Sequence, residues 1–261
     1  MSDTAPRRIR TVDFLNVFLR SFFIQAVWNY RSLLSVGFES CLMPVIQRLY
    51  PDPERRRDCS LRHLQFFNAH PYLVSFALGV SIRLEEETAA GDAQACDRLE
   101  RVKELMITIL GGLGDKLFWY TIRPFSLLVG VAAVLVAATP AAQVAVLIGV
   151  FFLYNIPHFY YRYRGIMEGY RHGLEIYKVL NDERFRRTHM AYRWIGVTAF
   201  AVMVAMLLAA QWTVNGWHPV VTLVAGAGTL VLTRKLNNFY LTVLTVLAVG
   251  LLIAAVWPGA L

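Results

Sequence analysis

The chain of 261 residues is 56% hydrophobic and only 17% charged, with mean hydropathy +0.45 and net charge +8. Soluble domains carry roughly 45–50% apolar and about 25% charged residues, so this composition points to a membrane protein. Basic residues beside uncharged stretches read as loops facing anionic lipid, and no nucleic-acid partner is expected.

The start, M-S-D-T-A-P-R-R-I-R (1–10), reads as a disordered cytoplasmic tail, and the amphipathic stretch after it lacks the A-x-A site of a signal peptide. From Thr11 to about Ser32 the period is helical. Asn16 and Arg20 share a polar side, and Phe14, Leu15, Phe18, Leu19, Phe22, Phe23, Val27 and Trp28 form a broad apolar face. A polar side poor in lysine favours a protein partner over a lipid surface. Ser35 to Tyr50 is interrupted by Gly37, Glu39 and Pro44, so a broken, cavity-lining helix is expected there.

Pro51 to Asp58 reads as a solvated turn, and Ser60 as the cap of a helix carrying Arg62, His63, Phe66, Phe67 and Asn68 and ending near Pro71. Tyr72 to Leu84 is apolar but shorter than the roughly 20 residues a span needs. Glu85-Glu86-Glu87 follows; adjacent like charges favour water, so it reads as a solvated helix end. A helix from Asp97 to Leu110 leads on to T-I-L-G-G-L-G-D-K-L-F-W-Y-T-I-R-P (108–124). Here Gly111, Gly112 and Gly114 precede an Asp115–Lys116 pair inside an apolar run, which predicts a re-entrant hairpin with a polar tip.

Residues 125–157 are long and uncharged, with Thr139-Pro140 in the middle, and predict a membrane segment kinked at Pro140. Residues 158–193 carry eight Lys or Arg against four acids and read as a basic cytoplasmic region. Trp194 to Val214, Pro219 to Thr233 and Phe239 to Trp257 are apolar spans, the last two separated by Arg234-Lys235. With both basic segments inside, the N-terminus is cytoplasmic and the C-terminus outside. The domain reading is a tail at 1–10 and a single all-α, polytopic integral membrane domain at 11–261, containing the amphipathic, broken and re-entrant pieces within 11–124.

Catalytic patterns are lacking. There is no G-x-x-x-x-G-K-[ST] loop and no G-x-S-x-G elbow, and the six histidines do not share metal-ligand spacing. Cys41, Cys59 and Cys96 read as reduced thiols. No cofactor, metal site or catalytic residue of its own is expected. What remains is polar groups at depth: Asp115 and Arg123 about the hairpin, Asn68 before Pro71, and Glu39. Carboxylates and amides hydrogen-bond sugar hydroxyls, and Trp119 and Tyr120 offer flat apolar faces. Asp115 has two readings of equal weight, a polar solute path or an internal pair with Lys116 or Arg123.

Several blocks in order resemble a known family. They are F-L-R-S at 18–21 with Gln25, Trp28 and Asn29; Gly37-Phe38; Pro44 with R-L-Y-P at 48–51; and R-H-L-x-F-F-N-x-x-P at 62–71. L-E-E at 84–86 and G-x-G-D-x-x-F-W-x-T-x-R-P from Gly112 to Pro124 follow, then a pattern from Tyr161 through Gly165, Gly169, Tyr170 and Gly173 to Ile176. Over about residues 12–180 the chain resembles the D subunit (IID) of mannose/fructose/sorbose-type phosphotransferase-system permeases. The resemblance implies a bacterial cytoplasmic-membrane subunit that joins a IIC subunit to form the path for a hexose or amino sugar. Soluble IIA and IIB components would pass phosphate from phosphoenolpyruvate to the arriving sugar, leaving the D subunit unphosphorylated. The resemblance assigns the sugar pocket mostly to the IIC subunit; on the reading of the residues themselves, Gly112, Gly114, Asp115, Trp119, Arg123 and Asn68 are the candidates for a substrate path or hairpin. Lys116 departs from the G-D-P usual in the family, and the polar insert between the last spans is shortened to 215–219. The alternative is a non-transporting scaffold or sensor that docks the phosphotransferase components.

Overall fold

Local hydrogen-bond chemistry sets where the helices begin. In the computed structural model, which describes residues 8–181, 183–215, 220, 224, 226–228 and 231, the described elements are helical. Helix α1 (Thr11–Ser21) starts where the Asp13 carboxylate accepts the Arg10 N–H at 2.8 Å. Helix α2 spans Ser35–Leu49. Asp52 caps α3 (Pro53–His63) by accepting from the Arg55 N–H, with Pro53 in the first turn, where a missing N–H costs nothing. Helix α4 is Val74–Ala89; Asp92 caps α5 (Ala93–Gly114), and Thr139 caps α7 (Pro140–His172). A π-helical segment (Asp115–Ile122) joins α5 to α6 (Arg123–Val136). A short 3₁₀ turn and α8 (Ile176–Leu180) lead to α9 (Glu183–Asn215).

Helix α4 is apolar nearly all round and forms the centre of the core, packed by α2, α5 and α7. Its seam with α7 is made of missing side chains. A Cβ on Gly79 would stand 2.2 Å from the Ile166 carbonyl oxygen, and one on Gly169 would stand 2.3 Å from that of Phe76. The two main chains touch, in the small-xxx-small manner of membrane helices, and Ser75 adds a hydrogen bond to the Tyr161 carbonyl at 3.2 Å.

Met1–Val197 form one compact unit and Thr198–Leu261 a second, of which the described part is the end of α9 and scattered helical residues. Among the described residues, three stretches are long and apolar enough to cross a membrane: Ala93–Val136, Pro140–Leu180 and Glu183–Met206. The expected span Trp194–Val214 falls in α9. The spans at 219–233 and 239–257, the Arg234-Lys235 turn and most of the N-terminal tail lie outside the described residues.

Several expectations are corrected. No hairpin turns at Gly111–Gly114: those residues end α5, and the chain runs on in helical form to Val136. Positive φ is confined, among the described glycines, to Gly91 and Gly173. The reversal comes later, at 137–139: the two segments expected on either side of Thr139-Pro140 are there, but as the long helices α6 and α7 folded back on each other. Helix α1 stops at Ser21: the chain continues in turns with N–H bonds three residues back at Phe22, Phe23, Ile24 and Ala26, and farther on the Asn29 side chain holds the N–H groups of Arg31 and Ser32 in a local turn. Helix α2 is unbroken despite Pro44. The Ser40 carbonyl that Pro44 cannot serve accepts instead from Arg20 Nη1 at 3.0 Å. Finally, Pro53–His63 is a helix capped by Asp52, so Ser60 lies inside it.

Candidate functional site

A cavity of about 190 Å³ lies among the turn after α1, the segment before α4 and the α5–π junction. Gln25, Trp28, Asn68, His70, Asp115 and Trp119 line it. Gly114 makes this corner possible, since a Cβ there would fall 2.2 Å from the His70 Cβ. The His70 ring therefore lies on the helix and stacks on Phe118 with centroids 5.3 Å apart. The Tyr72 N–H donates to His70 Nδ1, which leaves the ring proton on Nε2; Nε2 is buried without a partner. Burial first, then the nearby positive charge of Arg162, pushes the His70 pKa down to about 4, so the ring is neutral at pH 7.

Asp115 is exposed at the lip of this cavity, and among the described residues no ion pair joins it to Lys116 or Arg123. Arg123 instead places its guanidinium 5.5 Å from the centre of the Trp119 ring. Lys116 lines a different cavity. The sequence-derived residues Asn68, Asp115 and Trp119 thus meet around one space, with Arg123 behind Trp119 and Gly114 underneath. Gly112 does not join them; it faces open space. The space offers a carboxylate acceptor, two amides and two indole rings, with the buried imidazole of His70 in its wall. Such a set suits a polyhydroxylated ligand and contains no nucleophile–base pair.

A second polar cluster was not legible from the sequence. Glu85 is only 1% exposed, contrary to the solvated helix end expected for 85–87. Its carboxylate accepts from Tyr50 Oη at 2.7 Å, from Arg62 Nε and Nη2 at 3.1 Å, and from His63 Nε2 at 2.9 Å. Lys103 Nζ lies 3.5 Å from the other imidazole nitrogen. Burial would raise the Glu85 pKa, but the His63 hydrogen bond and the Arg62 charge prevail and hold it at about 2. Burial, with Lys103 and Arg62 close by, holds His63 below its usual range, so the ring is neutral and donates one proton to Glu85. Glu86 and Glu87 take separate partners, Tyr170 and Arg83, which removes the mutual repulsion that made the triplet look solvated. Cys59 stands within ligand distance of His63 and Glu85, but the Arg62 guanidinium already occupies the carboxylate and Lys103 faces the imidazole. This chemistry suits a neutralised ion cluster rather than a metal site. Arg62, His63 and Glu85 all fall within the blocks quoted above, the only sequence signal that marked them.

The description "PTS system mannose/fructose/sorbose family IID component" matches residues 8–257. The chain belongs to this family. It is 34% identical over 176 residues to the mannose-specific EIID component of Escherichia coli K12, a match covering 67% of this chain and 60% of that protein. The chain thus spans less than two thirds of the length of those mannose-specific relatives. The fructose permease IID component of Bacillus subtilis is 28% identical, over 79% of this chain and 72% of that one. The sorbose-specific EIID component of Klebsiella pneumoniae is 27% identical, over 89% and 81%. Among solved structures, a chain of the mannose transporter ManYZ in complex with microcin E492 superposes with TM-score 0.59 and 25% identity, over 95% of this chain and 97% of that one. A second, titled only as a membrane protein, reaches TM-score 0.69 at 25% identity, over 95% and 98%. All-α membrane architecture is common to them and to this chain.

Proposed function

We propose that this chain is the IID membrane subunit of a mannose-family sugar permease. It pairs with a IIC subunit to form the route by which a hexose or amino sugar enters, while soluble IIA and IIB components carry phosphate from phosphoenolpyruvate to it. The observation that carries this reading is the family match over nearly the whole chain. The N-terminus and residues 158–193 face the cytoplasm in this reading and the C-terminus faces outward, which keeps the basic segments inside. Asp115, Asn68 and Trp119, with His70 beside them, contact the passing sugar.

The test is phosphoenolpyruvate-dependent sugar uptake in cells whose own D subunits are deleted, with this chain and its IIC partner supplied together. Uptake that needs both chains supports the proposal, and sugar-independent membrane assembly without uptake overturns it. Lys116, where the family usually has proline, is the feature that favours the non-transporting scaffold, and that second outcome is what a scaffold would give.

A further inference from the structure

A different cavity, of about 390 Å³, lies between the start of the π segment and the beginning of α9. Lys116, Arg186 and His189 line it alongside an apolar floor of Leu113, Leu117 and Phe185. Lys116 has no ion-pair partner among the described residues. Arg186 shares Glu183 with Arg187, so two guanidinium groups draw on one carboxylate and the cavity keeps a surplus of positive charge.

The position of this cavity along the helices is what selects its ligand. One to two turns beyond Lys116 come the exposed Trp119 and Tyr120, then Arg123, and after Arg123 the helix is uncharged to Val136. On α9, Arg193 and the exposed Trp194 occupy the same place relative to His189, and α9 carries no further charge. Aromatic side chains beside basic ones mark the level where hydrocarbon meets headgroups. The cavity lies just to the polar side of that level. Basic pockets between membrane helices at this depth hold lipid headgroups.

We propose that this cavity binds one anionic phospholipid. Its phosphate sits between Lys116 and Arg186, and the glycerol end lies on Leu113, Leu117 and Phe185. The Thr121 hydroxyl accepts from His189 Nδ1–H at 2.8 Å, which leaves Nε2 as an acceptor for a hydroxyl of the lipid headgroup. Thr121 also donates to the Lys116 carbonyl at 2.8 Å, so the residues of the site are tied to one another through the π segment. This accounts for lysine at position 116 without involving the Asp115 cavity, and it holds whether or not the chain transports sugar.

The test uses the full chain, with its membrane partner, in nanodiscs of phosphatidylglycerol mixed with phosphatidylcholine. Native mass spectrometry then counts the lipids retained on release. One retained phosphatidylglycerol is expected, lost roughly fivefold for each cation removed in Lys116→Gln and Arg186→Gln. Lys178→Gln, which removes an exposed, Glu175-paired charge away from the cavity, leaves retention unchanged. Equal retention of phosphatidylcholine, or retention insensitive to Lys116→Gln, overturns the proposal. Displacement of phosphatidylglycerol by a soluble hexose phosphate at micromolar concentration also overturns it, by assigning the cavity to free phosphoesters. A photoactivatable phosphatidylglycerol on the unaltered chain gives a second readout independent of variant folding. Adducts within 113–117 and 183–189 support the site, and adducts elsewhere alone refute it.

Discussion

His63 donates its single ring proton to Glu85, Nε2 to Oε1 at 2.9 Å, with both side chains sealed from solvent. Arg62 supplies the compensating charge to the same carboxylate. Replacing Glu85 by glutamine keeps the volume but leaves the guanidinium without its anion, and such a loss costs about 3–5 kcal/mol. The expected result is a large drop in the thermal midpoint of the detergent-solubilised protein. A midpoint within a degree or two of the parent would show that the cluster is not a stabilising unit.

Acid should loosen this protein earlier than carboxylates alone would dictate. His63 and His70 both have folded pKa values below the ordinary 6.5, with His70 at about 4. The unfolded chain therefore takes up protons that the folded chain refuses. Their contribution is complete above pH 6.5 and is lost as the pH falls toward 4, about 3 kcal/mol for His70 alone. Glu85, depressed from 4.5 to about 2, adds a second loss that begins below 4.5. Melting curves from pH 8 to pH 4.5 should show a decline starting near 6.5, shallower in His70→Asn.

Arg20 and Pro44 should be energetically coupled, although they lie on different helices. Arg20→Ala removes the donor to the Ser40 carbonyl and is expected to cost about 1 kcal/mol. In a Pro44→Ala background the restored N–H serves that carbonyl, and the cost of Arg20→Ala should shrink. Additive losses in this double-mutant cycle would contradict the arrangement.

The glycines divide into two kinds that alanine distinguishes. At Gly111 and Gly112 a Cβ meets nothing within 4 Å and the backbone is helical, so alanine should be neutral or stabilise by about 0.5–1 kcal/mol. At Gly79 and Gly169 the same change pushes into main chain and should destabilise by about 1–3 kcal/mol or more. Melting of the four single variants separates a continuous helix from a hairpin, in which alanine at 111 or 112 would be damaging.

Asp115→Asn should abolish sugar uptake while the complex with the IIC subunit still assembles. His70→Phe should lower the apparent affinity with smaller effect on the maximal rate, because it keeps the ring on Phe118 and removes one donor while leaving the carboxylate. Unchanged uptake in Asp115→Asn would remove that carboxylate from the sugar route.

Composition and charge distribution were enough to read an all-helical membrane chain, since uncharged stretches of span length have few alternatives. They also brought Asn68, Asp115 and Trp119 forward together, because polar groups inside apolar runs stand out. The failures have specific physical origins. Glycine beside a charge pair resembles a turn locally, yet Gly114 is there to admit the His70 ring, a neighbour 44 positions away that no local pattern reveals. Three adjacent glutamates look solvated until Tyr50, Arg62 and His63 arrive from two other segments. Pro44 looked like a break because the donor that replaces its own, Arg20, comes from another helix. Each of these three errors concerns a partner distant in sequence.

The contact of main chain on main chain between α4 and α7 has a mechanical consequence. Gly79, Gly165 and Gly169 leave no side-chain layer that could slip or repack, so neither helix can rotate or slide against the other without atoms colliding. Helix α4 is enclosed in the core, whereas α7 runs out through exposed Phe151 and Phe152 toward its apolar end. The seam therefore behaves as a rivet. A push on the enclosed half is delivered to α7 without slack at the seam, and bending must be taken up outside the joint, at Pro157, at 137–139 or beyond His172.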